Sequence, residues 1–393
     1  MPGSGYDARG RGRPGPGAAG HTAAMPLPLV PPIEPMLAKP VTRLPDPDDL
    51  PGGVAYEPKW DGFRALVFRD GDQVGIWGRG GKDLAYAFPE VVDAVREGLP
   101  DRVVLDGELV IAREGRLWFE QLQMRLRPRS EAGGWKIAEL AADLPATFVG
   151  FDLLALGDDV LLDTPYVDRR AQLVAAVAAA SGAAATTLRT TPMTRDRDEA
   201  AGWFEVFEGA GLDGLIAKGL GTPYSPGKRT MLKLKHARTA DAVVAGWRPF
   251  KQPGPDGQAV VGSLLLGLYD DAGRLQHIGV AASFPMARRV ELVSELAPYD
   301  AVDDPSHPWA AWAQAQAAGR LPGAVSRWTG GKDLSFVPLR PELVVEVAYD
   351  QMEGDRLRHT ARFLRWRPDR EAASCTYDQL ERPVRYDLEG ILG

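Results

Sequence analysis

Two apolar runs, Phe63 to Phe68 and Gln73 to Trp77, flank an Asp70-Gly71-Asp72 turn. Strand-like runs joined by that turn chemistry predict a β-hairpin. The hairpin is a rigid scaffold for the stretch that leads into it, Glu57-Pro58-Lys59-Trp60-Asp61-Gly62-Phe63-Arg64. This places Lys59 at a strand edge or in a loop. A lysine amine is a covalent nucleophile once deprotonated. Its free pKa is about 10.4, so such a site must favour the neutral form through desolvation or nearby positive charge. Arg64, or a metal ion carried by the substrate, would supply that charge. These eight residues taken alone read equally well as an exposed lysine and a turn glycine between strands.

At 393 residues the chain has room for two or three domains. A net charge of −7 excludes only a uniformly basic surface, so the local distribution of charge decides what the chain can bind. The single cysteine, Cys375, excludes an intrachain disulfide and fits a reducing, cytoplasmic setting. No run approaches the apolar length of a membrane span. Residues 1–33, rich in Gly, Pro, Ala and Arg, lack a signal-peptide core and read as a disordered leader.

Beyond the hairpin, Arg79-Gly80-Gly81-Lys82 offers glycines that would let backbone approach a ligand. Apolar spacing predicts helices over Pro89 to Leu99, Phe119 to Leu126, Val167 to Ala180 and Asp198 to Ala210. Strands are expected from Val103 to Ala112 and from Thr147 to Leu156. The first carries Asp106-Gly107-Glu108 within an apolar run, and two acids there should meet a cleft, a cation or hydroxyl donors. The second carries Phe151-Asp152, where Phe151 is a core residue or a stacking platform. Ser181 to Thr191 reads as a loop with a short strand. Asp213-Gly214 begins a turn and strand ending at Lys218. From Lys218 to Arg238 there are six Lys or Arg residues and no acid. Within this run, Leu232-Lys233-Leu234-Lys235 puts both lysines on one strand face, a site suited to phosphates.

After Ala240 short strands come in series: Ala242 to Trp247, Ser263 to Tyr269, Leu275 to Val280, Leu343 to Ala348 and Phe363 to Arg367. Helices are expected at Met286 to Leu296 and Trp309 to Ala318. Five strands with an interposed helix suit a small barrel of the OB type. Asp355 to Arg370 holds six arginines against two aspartates, and Arg125, Arg127 and Arg129 form a second basic group. Glu371 to Gly393 is expected to lie on the barrel as a tail.

The order of these motifs resembles that of the ATP-dependent DNA ligases, members of the covalent nucleotidyltransferases. Lys59-Trp60-Asp61-Gly62-Phe63-Arg64 is similar to KxDGxR. Arg79 and Gly81 match S-R-x-G, with Gly78 in place of the serine. Asp106-Gly107-Glu108 matches DGE, and Phe151-Asp152 the aromatic-acid motif. Asp213 to Lys218 matches E-G-x-V-x-K with Asp for Glu, and Leu232 to Lys235 the lysine-pair motif. Arg367-Pro368-Asp369-Arg370 matches R-x-D-K with Arg for Lys. The resemblance runs from about Pro35 to the end. It is nearest to the stand-alone bacterial C-type enzymes, which are related to end-joining ligase domains.

That resemblance implies an α+β architecture. A nucleotidyltransferase domain of antiparallel sheets and helices, residues 34–238, precedes an OB-fold barrel, residues 239–370, and a tail, 371–393. It implies a lysyl-AMP on Lys59, ATP as co-substrate, Mg²⁺ (or Mn²⁺), and nicked duplex DNA as partner to a monomer; it leaves repair-protein partners open. Phe151 would stack on adenine and Glu57 would read its amino group. Glu108 and Arg79 would hold the ribose, and Arg64 the sugar or nick phosphate. Asp213, with Glu108, would bind metal. Lys218, Lys233 and Lys235 would contact phosphate. Arg367 and Arg370 would act on the leaving pyrophosphate. RNA ligases and capping enzymes use the same nucleotidyl-lysine chemistry, and a non-catalytic nucleic-acid binder on the same fold is a third reading.

Overall fold

Strand-forming sequence dominates both halves of the chain, and its pairing creates two β-rich units joined between Leu234 and Arg238. The structure is a computed structural model describing residues 27–126, 134–236, 238–302, 304–309, 335–380, 386–388 and 391. In the first unit the predicted hairpin, Phe63–Asp70 with Gln73–Gly78, is extended antiparallel by Arg102–Val110 and then by Thr147–Leu156. Leu188–Thr190 adds a parallel edge strand. A second sheet runs Leu37–Val41, Arg229–Leu234, Leu215–Gly219, Val54–Pro58.

Alternation along Phe63–Asp70 explains how the layers stack. Ala65 and Val67 pack with helix Pro89–Gly98 through Val91, Ala94 and Val95. Leu66 and Phe68 point the other way and pack with Met36, Tyr224 and Met231, on and beside the second sheet. A strand covered on both faces reads as the continuous apolar run seen in the sequence. The functional cleft opens between the two sheets.

The second unit is a closed barrel in which consecutive strands take the order first, second, third, fifth, fourth. The strands are Arg238–Pro249, Val261–Tyr269, Leu275–Ala282, Val337–Tyr349 and Ala361–Trp366. The third and fifth pair in parallel, the other neighbours antiparallel. Helix Met286–Leu296 lies between the third and fourth and buries Leu292 and Leu296 in the barrel core. This is the five-stranded Greek-key arrangement of an OB fold.

Several expectations are corrected. The leader was expected to extend to residue 33, but Leu27 is buried and Leu29 and Ile33 pack on the core beside Met36; residues 1–26 lie outside the described residues. Ser181 to Thr191, read as a loop with a strand, contains helix Gly182–Thr187 before the strand. Its small Ala184 packs in the core that includes Val91 and Leu188, a tertiary contact that no local pattern announces. The helix expected over Trp309 to Ala318 lies outside the described residues apart from Trp309.

The tail does not lie wholly on the barrel. Residues 371–380 do, with Cys375 in the barrel core and the Gln379 amide bonded both ways to the Asp241 backbone at 2.8 and 3.0 Å. Leu388 and Ile391 instead bury against Trp60, Leu117, Phe207 and Leu212 of the first unit. Leu388 N–H donates to Gly115 O at 2.8 Å. Among the described residues no helix is long and apolar enough to cross a membrane.

Candidate functional site

The cleft begins with a ladder that joins two motifs far apart in sequence. Val54–Pro58 pairs antiparallel with Leu215–Gly219, setting Glu57 opposite Ile216. Lys59 N–H donates to Gly214 O at 2.8 Å, and Asp213 N–H to Lys59 O at 2.9 Å. Glycine follows each aspartate for a steric reason. A Cβ on Gly62 would lie 2.1 Å from Leu109 O, and one on Gly214 (φ +119°) would lie 2.1 Å from Leu234 O. These close approaches bring the lysine loop onto the Glu108 strand and Asp213 onto the lysine pair.

Asp213 Oδ2 accepts from Lys59 Nζ at 2.5 Å and from Lys235 Nζ at 2.8 Å. One carboxylate oxygen thus spans both ammonium groups. Lys235 also meets Asp350 of the barrel at 3.3 Å. Burial lowers the Lys235 pKa, but Asp213 and Asp350 outweigh it and the net shift is upward. Lys233 shifts down, through burial and then through repulsion from Lys235 and Lys59.

Glu57, Lys59, Arg64, Arg79, Glu108, Phe151, Lys218 and Lys233 all line one cleft of about 880 Å³, solvent-open mouth included. Glu57 is buried, with Lys218 Nζ 2.9 Å from one oxygen and the Tyr166 hydroxyl donating to the other. Arg64 donates to both oxygens of buried Asp106 at 2.6 and 2.5 Å and stacks 4.6 Å over the Phe151 ring. Burial works against the guanidinium charge, yet Asp106 holds its pKa well above the usual value. Tyr224 donates to Asp106 at 2.6 Å as well. Asp106 therefore finds both the cation and the hydroxyl donor that an acid in an apolar strand requires. Burial pushes Glu108 up to about 7, against the pull of Arg64 and Lys59.

Sequence reasoning missed part of the cleft wall. Ile216 and Met231 supply apolar lining and Arg229 a further cation. Each is two residues from a noted lysine or from another lining residue, so the period-2 rule applied to Lys218 and Lys233 would have found them. Tyr166, which holds Glu57, was not singled out. Asp152 of the aromatic-acid pair faces away from the cleft and makes a buried ion pair with Arg169 at 2.7 Å.

Four expected site residues lie elsewhere. Asp213 and Lys235 line a smaller crevice with Asp350 and Gln351. Arg367 is on the barrel, held by Asp241 at 3.0 Å and Asp369 at 2.9 Å. Arg370 is 3.6 Å from the same Asp241. The basic group at Arg125 is also corrected. Arg125 is 2% exposed, and its guanidinium is consumed by Ala87 O, Leu144 O and Glu90; Arg127 and Arg129 lie outside the described residues. Among the described residues no group of three or more His, Cys, Asp or Glu is placed to hold a metal. Of the two expected metal ligands, Glu108 lies in the cleft, and Asp213 Oδ2 is taken up by Lys59 and Lys235.

Two family models match the chain: the ATP dependent DNA ligase domain over residues 35–235 and the ATP dependent DNA ligase C terminal region over 257–370. The chain belongs to the ATP-dependent DNA ligases. The ligase is 52% identical over 371 residues to DNA ligase C of Mycobacterium tuberculosis, covering 94% of this chain and 99% of the relative. It is 52% identical over 362 residues to DNA ligase C2 of Mycolicibacterium smegmatis, covering 91% and 97%. A solved Lig E DNA ligase shares the fold at TM-score 0.51 and 18% identity, over 85% of this chain and 99% of that one. As an enzyme of this family the ligase uses ATP and acts on DNA.

Proposed function

We propose that the ligase seals nicks in duplex DNA through a lysyl-AMP on Lys59. The supporting observation is the Lys59 amine in a cleft with Glu57, Arg64, Glu108 and Phe151, its Nζ 2.5 Å from Asp213. Lys59 Nζ attacks the α-phosphorus of ATP, the bond to pyrophosphate breaks, and the amine proton passes to an acceptor for which Asp213 is in reach. AMP then moves to the 5′-phosphate of the nick. Attack by the 3′-hydroxyl forms the phosphodiester and releases AMP. Phe151 and Ile216 offer faces for adenine, Glu57 an acceptor for its amino group, and Glu108 and Arg79 partners for the ribose. Arg64 faces the sugar or the nick phosphate. Lys218, Lys233 and Lys235 offer charge to phosphates, while Asp213 and Glu108 would hold Mg²⁺ or Mn²⁺ beside them. When bound, the cation neutralises phosphate charge.

The first domain spans about residues 34–238 and the barrel 239–370. We assign the ligase to DNA repair in the cytoplasm, as a monomer that needs no partner to complete the cleft. Exposed Arg356 and Arg362 on the barrel would track the DNA backbone, giving sequence-independent, salt-sensitive binding. The test is incubation with α-labelled ATP, then with singly nicked duplexes of DNA or of RNA. Label on the protein followed by DNA sealing is expected. Transfer from GTP alone would replace the reading with a capping activity, and sealing confined to RNA nicks with an RNA ligase.

A further inference from the structure

Tyr166 is the first residue of helix Tyr166–Ala178 and does not line the cleft. Its hydroxyl nonetheless donates to Glu57 Oε1. The other oxygen, Oε2, is 2.9 Å from Lys218 Nζ, and the same ammonium donates to Phe151 O at 2.8 Å. Lys218 also stands 4.6 Å from the Tyr166 ring centroid and 4.8 Å from that of Phe151. Tyr166, Glu57 and Lys218 are each 3% exposed or less.

We propose that Tyr166 is a positioning residue for base selection, acting through Glu57; this rests on the reading of the cleft as an ATP site. A carboxylate held by one donor on each oxygen cannot rotate, and each oxygen keeps a lone pair for a ligand. Because an ionised carboxylate only accepts, the fixed edge suits a base that presents an amino group there, as adenine does. It opposes one that presents a carbonyl, as guanine does. Sites built around a buried polar partner discriminate strongly because the wrong ligand leaves that partner unpaired. The proton stays on the tyrosine, since burial and the Glu57 charge hold its pKa well above the ordinary value. The Tyr166 backbone N–H is bonded to Thr222 O at 3.0 Å, and one turn on, Arg169 is locked to Asp152. The hydroxyl therefore approaches Glu57 from a fixed wall.

The test is Tyr166→Phe, which keeps the ring under Lys218 and removes only the hydroxyl. Self-adenylylation is measured with ATP and with GTP, alongside thermal melting. We expect the ATP-over-GTP ratio of kcat/KM to fall at least tenfold and KM for ATP to rise, with kcat at saturating ATP within about twofold. An unchanged ratio and KM would overturn the proposal. So would a fall in kcat at constant KM, which marks a structural role. Glu57→Gln separates this outcome from failure of the underlying reading. If Glu57→Gln discriminates as well as the wild type, Glu57 does not read the base and the ATP-site assignment of that wall falls. If Glu57→Gln loses selectivity while Tyr166→Phe keeps it, only the role of Tyr166 is lost.

Discussion

The cleft and the arginine-rich segment of the barrel carry similar charge but treat it differently. In the cleft, Arg64, Lys218 and Lys59 each lie against a carboxylate of their own unit, and the side chains that remain free to meet a ligand converge on one space. On the barrel, the six arginines between Asp355 and Arg370 disperse. Arg365 pairs with Glu346, while Arg367 and Arg370 meet Asp241. Arg358 crosses to the first unit, where it grips both oxygens of Asp61, one at 2.9 Å. A dense basic run is therefore not yet a binding site. The cleft is organised before its ligand arrives, whereas Arg358, Arg365, Arg367 and Arg370 must exchange partners to act on one. Desolvated, well-oriented charges act strongly in catalysis because no reorganisation is needed at the moment of reaction. By the same reasoning the barrel segment should serve some steps and not others.

The comparison breaks most sharply at Lys59. Lys59→Ala is expected to reduce label transfer from α-labelled ATP to background, with the melting temperature close to the wild type. Full labelling of a folded Lys59→Ala protein would return the amine to an ordinary surface role. Next in size is the barrel. Arg367→Ala and Arg370→Ala should slow self-adenylylation by about 10²-fold, the scale of one lost charge-stabilising donor, while a nick already carrying AMP on its 5′-phosphate is still sealed. In this arrangement both arginines are held at Asp241, away from the cleft, so they can reach pyrophosphate only if the barrel moves through residues near the inter-unit connection. Equal loss on ordinary and pre-adenylylated nicks would make them DNA-backbone contacts and remove the need for closure.

Much of this contrast was legible in the sequence. The hairpin, the acid-bearing strand and the lysine pair were readable because strand periodicity is 2 and an acid inside an apolar run demands a partner. The five barrel strands were readable for the same reason. Partners distant in sequence were not. Nothing local links Arg64 to Tyr224 through Asp106, Glu57 to Tyr166, or Asp61 to Arg358. The count of six arginines overstated the free charge because their carboxylates, Glu346 and Asp241, lie on other strands. Arg125 misled most: a helix-terminal arginine beside two more reads as a basic surface, but its guanidinium fits a gap lined by carbonyls.

The return of Leu388 and Ile391 to the first unit ties the two regions together, and its effect should be smaller than those above. Leu388 is 1% exposed and Ile391 5%, both against the cluster that contains Trp60, the neighbour of Lys59. Leu388→Ala is expected to destabilise by about 2–3 kcal/mol, the cost of truncating a buried leucine. It should also raise protease sensitivity of this segment. A melting curve indistinguishable from the wild type would mean that the contact contributes nothing to holding the barrel's end in place.

The smallest expected effect is a pH dependence of ATP binding at Glu108, and its sign follows from the cleft. Burial raises the Glu108 pKa from its ordinary value near 4.5 to about 7. Below about pH 7 the carboxyl is protonated, and one of its oxygens becomes a donor. Ribose hydroxyls offered to it are best accepted by the ionised form. Binding ATP through those hydroxyls should therefore favour deprotonation, so KM for ATP should fall as pH rises from about 6 to about 8. The change should be a few-fold, since a hydrogen bond to a charged group exceeds one to a neutral group by only about 1 kcal/mol. Turnover has its own pH dependence, because an amine must be deprotonated to attack, so KM and kcat have to be separated across the range. Glu108→Gln, neutral at every pH, should raise KM and remove its pH step while leaving the kcat profile in place. If the wild-type KM is flat from pH 6 to 8, or if Glu108→Gln keeps the step, the ribose contact does not depend on this carboxylate's charge, and the raised pKa reports burial alone.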